Sequence, residues 1–293
     1  MIQVIKEIIQ KNKQWLDNPE SELSFLKMNT PASGTLPHAG KVLIFVFEKG
    51  KKTPTLCIKT TRTYEAGETI KKNYENLVTL SQFSNEAITT AKPLLLFDNK
   101  EVVLSFESVC PGTKFSSGIT SVDTVLGAYI LWQKDLKSSK VLFAPDLNTV
   151  TLQTISALGL PNESEEALIR KYDSLGEDSK FSLPELIQHG DMTPDNVLVD
   201  GAKVYLVDYD YVGLSKVPGF DIFHFLSKTV KQTGEFKSYC ELYLHKYFDA
   251  IGGNVQNIDK LLFTYHMQES LRKGTGTKNG NEIVSDFESL IMK

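Results

Sequence analysis

Residues 189–213, HGDMTPDNVLVDGAKVYLVDYDYVG, decide how this chain is read. His189, Asp191, Asp195 and Asn196 crowd around Pro194; two β-rich runs, NVLVD and KVYLV, then flank Gly201-Ala202, the pattern of a tight hairpin. Asp, Asn, Gly and Pro also fill ordinary turns, so composition alone carries no chemistry here. Spacing does: Asn196 lies five positions after Asp191, and Asp208 ends the returning run. Phosphoryl transfer from a nucleotide needs a residue that orients the acceptor hydroxyl, hard oxygen ligands for magnesium and a cation on the phosphates. The hairpin can return Asp208 to the neighbourhood of Asn196, and Asp210 would share the strand face of Asp208 if the strand continued.

Outward from this stretch the chain changes character once. Residues 1–16 place Ile2, Ile5, Ile8 and Ile9 at helical spacing among lysines, an amphipathic helix rather than a signal peptide. KVLIFVFEKGKKTPTLCIK (41–59) reads as a hairpin, residues 65–83 as a helix through Ile70, Tyr74, Leu77 and Leu80, and AKPLLLF and EVVLSFESV as two further strands. After Cys110-Pro111-Gly112, beginning with Val122, Val125, Leu126 and Tyr129, amphipathic helices dominate, interrupted only by the 189–213 hairpin. The expected division is therefore a sheet-rich lobe over 1–110 and a larger helical lobe over 111–293.

Composition narrows the function. The 293 residues are 41% hydrophobic and 23% charged, a globular composition, and a formal net charge of −4 supplies no basic face for nucleic acid. No run approaches the roughly 20 apolar residues of a membrane span. Three widely spaced cysteines, Cys57, Cys110 and Cys240, fit neither a disulfide framework nor a zinc site and read as buried thiols of a cytoplasmic protein. The glycine cluster KGTGTKNG (273–280) follows a helical segment, not a strand, and reads as a surface loop rather than a dinucleotide fingerprint.

The ordered set HGD (189–191), Asn196, DYDYVG (208–213) and the later PGFDIFHF resembles the signature of the aminoglycoside phosphotransferase and choline kinase superfamily. The resemblance implies an α+β, bilobal protein kinase-like fold with a small sheet-rich N-lobe. It implies an ATP- or GTP-dependent, Mg2+-dependent kinase acting on a small hydroxyl acceptor: an amino alcohol, a sugar or an aminoglycoside-like compound. Carried over by position, Asp191 orients or deprotonates the acceptor hydroxyl, Asn196 and Asp208 hold magnesium with Asp210 as an auxiliary, and His189 and Asp221 support the loop, Asp221 doubling as a helix N-cap candidate. Lys59, ending an apolar strand, becomes the phosphate-positioning cation; its helix partner is Glu75, with Glu65 and Glu68 as rivals. Glu107, Ser108 and Val109 form the stretch for the adenine edge. The phosphate-covering loop falls on Ser33, Gly34 and Thr35, in a segment without the full Gly-x-Gly-x-x-Gly pattern. Tyr209, Tyr211, Phe220 and Trp132 are either a cage for a cationic acceptor or core. A rival from another class is a pseudokinase that binds nucleotide without turnover; a protein kinase is disfavoured because no Ala-Pro-Glu-closed activation segment follows Asp208.

Overall fold

The computed structural model describes residues 1–29, 40–116, 121–137, 142–143, 147–176, 184–213, 217–230, 235–253, 257–274 and 278–291. The chain divides into two compact units, one comprising residues 1–84, 89–112 and 207–210, the other residues 85–88, 113–206 and 211–293.

In the first unit, strands β1 (Leu23–Asn29), β2 (Lys41–Glu48), β3 (Leu56–Thr61), β5 (Pro93–Asp98) and β6 (Val103–Ser108) form an antiparallel sheet in the order β1-β2-β3-β6-β5. A short strand, β4 (Ile88–Thr90), precedes β5. Strand β2 shows why the sheet has two different faces. Its residues alternate between buried and half-buried, so Val42, Ile44 and Val46 point one way and Lys41, Leu43 and Phe45 the other. The first set joins Ile58, Leu104 and Phe106 in a core closed by Ile5, Ile8 and Ile9 of helix α1 (Ile2–Lys11), the face that the helical spacing of isoleucines forecasts. Helix α2 (Glu68–Ser81) buries Ile70, Asn73, Leu77 and Leu80. Strand β1 escapes the sequence reading because it is an edge strand with little burial, Leu26 and Met28 being about half exposed.

In the second unit, β7 (Thr113–Lys114), β10 (Val197–Asp200) and β11 (Lys203–Leu206) pair in the order β11-β10-β7, and β8 (Leu142–Phe143) pairs with β9 (Pro184–Glu185). Gly201, at φ +60°, makes the two-residue turn between β10 and β11. Seven helices complete its described part: α3 (Val122–Lys137), α4 (Leu147–Ala157), α5 (Asn162–Ser174), α6 (Phe220–Thr229), α7 (Phe236–Ile251), α8 (Ile258–Lys273) and α9 (Gly280–Ile291). Helix α3 packs on α7, α4 on α8, α5 on α9, and α6 against both α7 and α8. Aromatic side chains fill the centre, including fully buried Tyr129, Trp132, Tyr247, Phe223 and Tyr265. The three cysteines are buried free thiols. No helix among the described residues is long and apolar enough to cross a membrane.

Candidate active site

The loop from His189 to Asn196 is held from beneath by one carboxylate. Asp221, fully buried in the first turn of α6, accepts hydrogen bonds from the His189 N–H (2.8 Å), the Gly190 N–H (2.9 Å) and the Tyr129 hydroxyl (2.9 Å). Asp221 is not the helix N-cap; Gly219 occupies that position. The bracing contacts of His189 to Asp221 run through its backbone, with the ring fully buried. Gly190 sits at φ +77°, and a Cβ there would lie 2.2 Å from the Tyr211 carbonyl oxygen, so the HGD tripeptide requires glycine at its centre.

This bracing presents Asp191 in a dense polar cluster. The Asn196 amide donates to both the Asp191 carbonyl and Oδ2 at 2.9 Å, so the five-residue spacing closes a small ring across the one-turn helix 194–196. The other carboxylate oxygen, Oδ1, meets Arg272 Nη2 at 2.5 Å and His224 Nε2 at 3.1 Å. Arg272 also donates to the Gly190 carbonyl and lies over the Tyr211 ring at 4.8 Å. Glu269 Oε2 stands 3.0 Å from His224 Nδ1, and Lys273 stands 2.6 Å from the second Glu269 oxygen. Burial pushes the Asp191 carboxyl up, but the hydrogen bond with His224 and the charge of Arg272 more than offset it and hold the group below its ordinary range. Burial likewise opposes protonation of His224, and the flanking Asp191 and Glu269 reverse that effect and raise it. Asp191 is thus an ionised, rigidly oriented carboxylate at neutral pH. Asp195 instead faces solvent and pairs with Lys114.

The first unit builds a second charged cluster on the sheet face opposite α1. Strand register explains it: Lys59 pairs with Leu43 on one side and Ser105 on the other, which makes Glu107 its diagonal neighbour on β6. Lys59 Nζ lies 3.0 Å from Glu107 Oε1, with both side chains buried, and donates to Asn73 Oδ1 at 3.1 Å. Burial would lower the Lys59 ammonium, but the nearby charge of Glu107 lifts it above its ordinary value. The structure does not bring Glu75 to Lys59: Glu75 is exposed, and Asn73 is the α2 residue on the sheet-facing stripe with Ile70, Leu77 and Leu80. Glu107, read as part of the stretch for the adenine edge, turns its side chain to Lys59 from β6, an inner strand between β3 and β5. Ser108 donates its N–H to the Lys92 carbonyl, and Val109, half-buried, follows the strand.

Asp208 and Asp210 belong to this first unit. Strand β11 ends at Leu206, so the expected common strand face does not exist; Asp208 takes a left-handed conformation at φ +65°, one that Asp tolerates better than most residues. The two carboxylates nevertheless converge on one cation, Lys41, whose ammonium lies 2.6 Å from Asp208 Oδ1 and also pairs with Asp210. Asn73 Nδ2 donates to Asp210 at 2.7 Å and so links Lys59 to the acidic pair. Tyr209, between the acids, is fully buried beneath Lys59 at 5.0 Å, and its hydroxyl accepts from the Ala91 N–H. Tyr209 and Trp132 are core, whereas Tyr211 and Phe220 line a cavity beside Gly190.

No group of three His, Cys, Asp or Glu side chains forms a metal cage among the described residues. Magnesium does not require one, since it keeps waters and substrate phosphates beside one or two protein oxygens. The Lys41 ammonium between Asp208 and Asp210 marks a place where two carboxylates accommodate positive charge, and Asn196 retains an amide oxygen with no partner among the described residues. Ser33, Gly34 and Thr35 lie outside the described residues. Lys41, Asn73, His224, Glu269 and Arg272 are not among the candidate site residues of the sequence reading, which takes His224 as a core or surface histidine. Only Lys41 carried a local signal, its place two residues before Leu43 on the Lys59 side of the sheet.

No protein-family model matches the chain, and no curated protein matches it in sequence. Solved structures do match. An aminoglycoside 3'-phosphotransferase of type VIII aligns at 18% identity over 84% of this chain and 93% of its own, with a TM-score of 0.51. The GDP complex of wild-type aminoglycoside 2'-phosphotransferase-IIIa aligns at 11% identity over 98% and 96%, with a TM-score of 0.57. The macrolide 2'-phosphotransferase MphH from Brachybacterium faecium aligns at 11% identity over 97% of each chain, with a TM-score of 0.55. This chain has the protein kinase-like fold that those phosphotransferases share.

Proposed function

We propose that this chain is a nucleotide-dependent small-molecule kinase that transfers the terminal phosphoryl group of ATP or GTP to a hydroxyl. The observation that carries this reading is Asp191: an ionised carboxylate fixed by Asn196 five residues on and presented by a loop anchored to Asp221. A carboxylate held below its ordinary pKa is a weak base, so its role is to orient the acceptor hydroxyl and take the proton late, as the new P–O bond makes that proton acidic. Residues 1–110 carry the nucleotide functions in this reading, with Lys59 as the phosphate-positioning cation, Glu107 and Asn73 as the groups that position it, and Val109 beside the base. Residues 111–293 carry the acceptor. Asn196, Asp208 and Asp210 would hold Mg2+, which would neutralise charge on the phosphates, and Lys41 shows that the Asp208–Asp210 pair accommodates a cation. The fold supports this reading because the solved structures that share it are named phosphotransferases.

A second reading, nucleotide binding without turnover, draws on one observation: both Asp191 oxygens are already engaged, by Asn196, His224 and Arg272. One experiment separates the two. Release of ADP or GDP is followed across acceptor classes for wild type and Asp191→Ala, with nucleotide affinity measured in parallel. The kinase reading expects turnover to fall by about 10²- to 10⁴-fold with nucleotide affinity kept; equal turnover in the two proteins would sink it.

A further inference from the structure

The second unit contains a cavity of about 360 Å³ lined by Gly190 and Arg272, the residues directly flanking Asp191 in sequence and in space. We infer that this cavity receives an uncharged, hydroxyl-rich acceptor of monosaccharide size, an inference that rests on the kinase reading for its link to catalysis.

Charge decides the class. Among the described residues, no aspartate or glutamate lines the cavity, and the one charged lining residue is Arg272. A polycation would face that guanidinium with no carboxylate in the described wall to oppose it, the neighbouring Asp191 being already paired with Arg272, and a desolvated charge without a partner is strongly disfavoured. An anion would not be favoured either, because Arg272 is already committed to Asp191 and to the Gly190 carbonyl and lies over Tyr211. An added anion there would share its cation with the Asp191 carboxylate. The remaining polar lining consists of the uncharged side chains of Gln153, Thr154, Gln268 and Tyr211, and the rest is apolar, with the ring of Phe220 among it. Amide groups beside aromatic rings suit a molecule with hydroxyls on its rim and C–H bonds on its face. Size points the same way: about 360 Å³ lies near the small end of the roughly 300–1,000 Å³ range of ligand pockets, enough for one sugar ring and too small for a multi-ring aminoglycoside.

The test is calorimetric titration of the full chain with neutral pentoses, hexoses and alditols, with choline, and with kanamycin, repeated on Gln268→Ala and Gln153→Glu. At least one neutral polyol is expected to bind, and Gln268→Ala is expected to weaken it roughly three- to tenfold through the lost hydrogen bond. Gln153 is exposed, so Gln153→Glu tests the wall without disturbing the core; it should create choline affinity absent from wild type. Tighter binding of choline or kanamycin than of every neutral polyol by wild type, or no neutral polyol bound at millimolar concentration, overturns the assignment. ADP or GDP release with the bound polyol, measured separately, isolates the parent reading: binding without release leaves the cavity assignment standing and removes the kinase one.

Discussion

Replacing Asp221 with Asn changes one atom of a fully buried side chain and tests what anchors the loop from His189 to Asn196. The carboxylate accepts three hydrogen bonds, two at Oδ2, from His189 N–H and Tyr129 O–H, and one at Oδ1, from Gly190 N–H. A carboxamide has a single acceptor oxygen. Placed at the Oδ2 position it keeps two donors, and its NH₂ then faces the Gly190 N–H donor to donor. The orphaned N–H costs about 1–3 kcal/mol, and each retained bond falls from a charge-assisted to a neutral one, about 1 kcal/mol apiece. Relief from burying a charge offsets part of that sum, leaving an expected loss of about 3 kcal/mol. At roughly 2–4 °C per kcal/mol, the melting temperature should drop by about 6–12 °C, read by circular dichroism. Tyr129→Phe removes one donor and leaves both backbone bonds, so its expected cost is smaller, about 1–2 kcal/mol, and the double variant should be non-additive because the two groups touch. An Asp221→Asn melt within about 2 °C of wild type would refute the bracing argument.

Three other perturbations have definite expected outcomes. Gly190→Ala forces a Cβ to 2.2 Å from the Tyr211 carbonyl at a left-handed φ; it should abolish turnover and lower the melting temperature even though only a methyl is added, and a wild-type melt and rate would contradict the loop geometry. Lys59→Met leaves Glu107 buried without its counter-charge and should cost about 3–5 kcal/mol in urea unfolding, most of it recovered in Lys59→Met/Glu107→Gln; equal stability of the single variant and wild type would disprove the pair. His266 is held down to about 4 by burial, below its ordinary 6.5. The unfolded chain therefore takes up this proton at higher pH than the folded one, so its contribution is present above about 6.5 and is lost as pH falls towards about 4. His266→Gln should flatten the stability profile in that window, and an unchanged slope would count against it.

How much of this was legible from sequence follows from how local each signal is. Alternation in KVLIFVFE, helical spacing of the α1 isoleucines and the two-residue turn at Gly201-Ala202 depend on neighbours within one turn or one pleat, and these elements stand where the pattern forecasts them. The Asp191 to Asn196 interval is local in the same sense, and a one-turn helix suffices to join the two side chains. Partners fixed by register or helix packing were not legible. Lys59 finds Glu107 because Ser105 lies opposite it in the ladder, and Asn73 rather than Glu75 faces the sheet because the buried stripe of α2 runs through Ile70 and Leu77. Asp208 and Asp210 meet at Lys41 although the strand stops short of them, since a left-handed residue re-aims the chain. His224, Glu269 and Arg272 come from α6 and α8, far from Asp191 along the chain, and no periodicity links positions whose meeting depends on how two helices pack. Local patterns suffice for most of the elements and for the Asp191–Asn196 spacing, whereas packing alone sets which charges face one another, because electrostatic partners are chosen by distance in space and local patterns encode only distance along the chain.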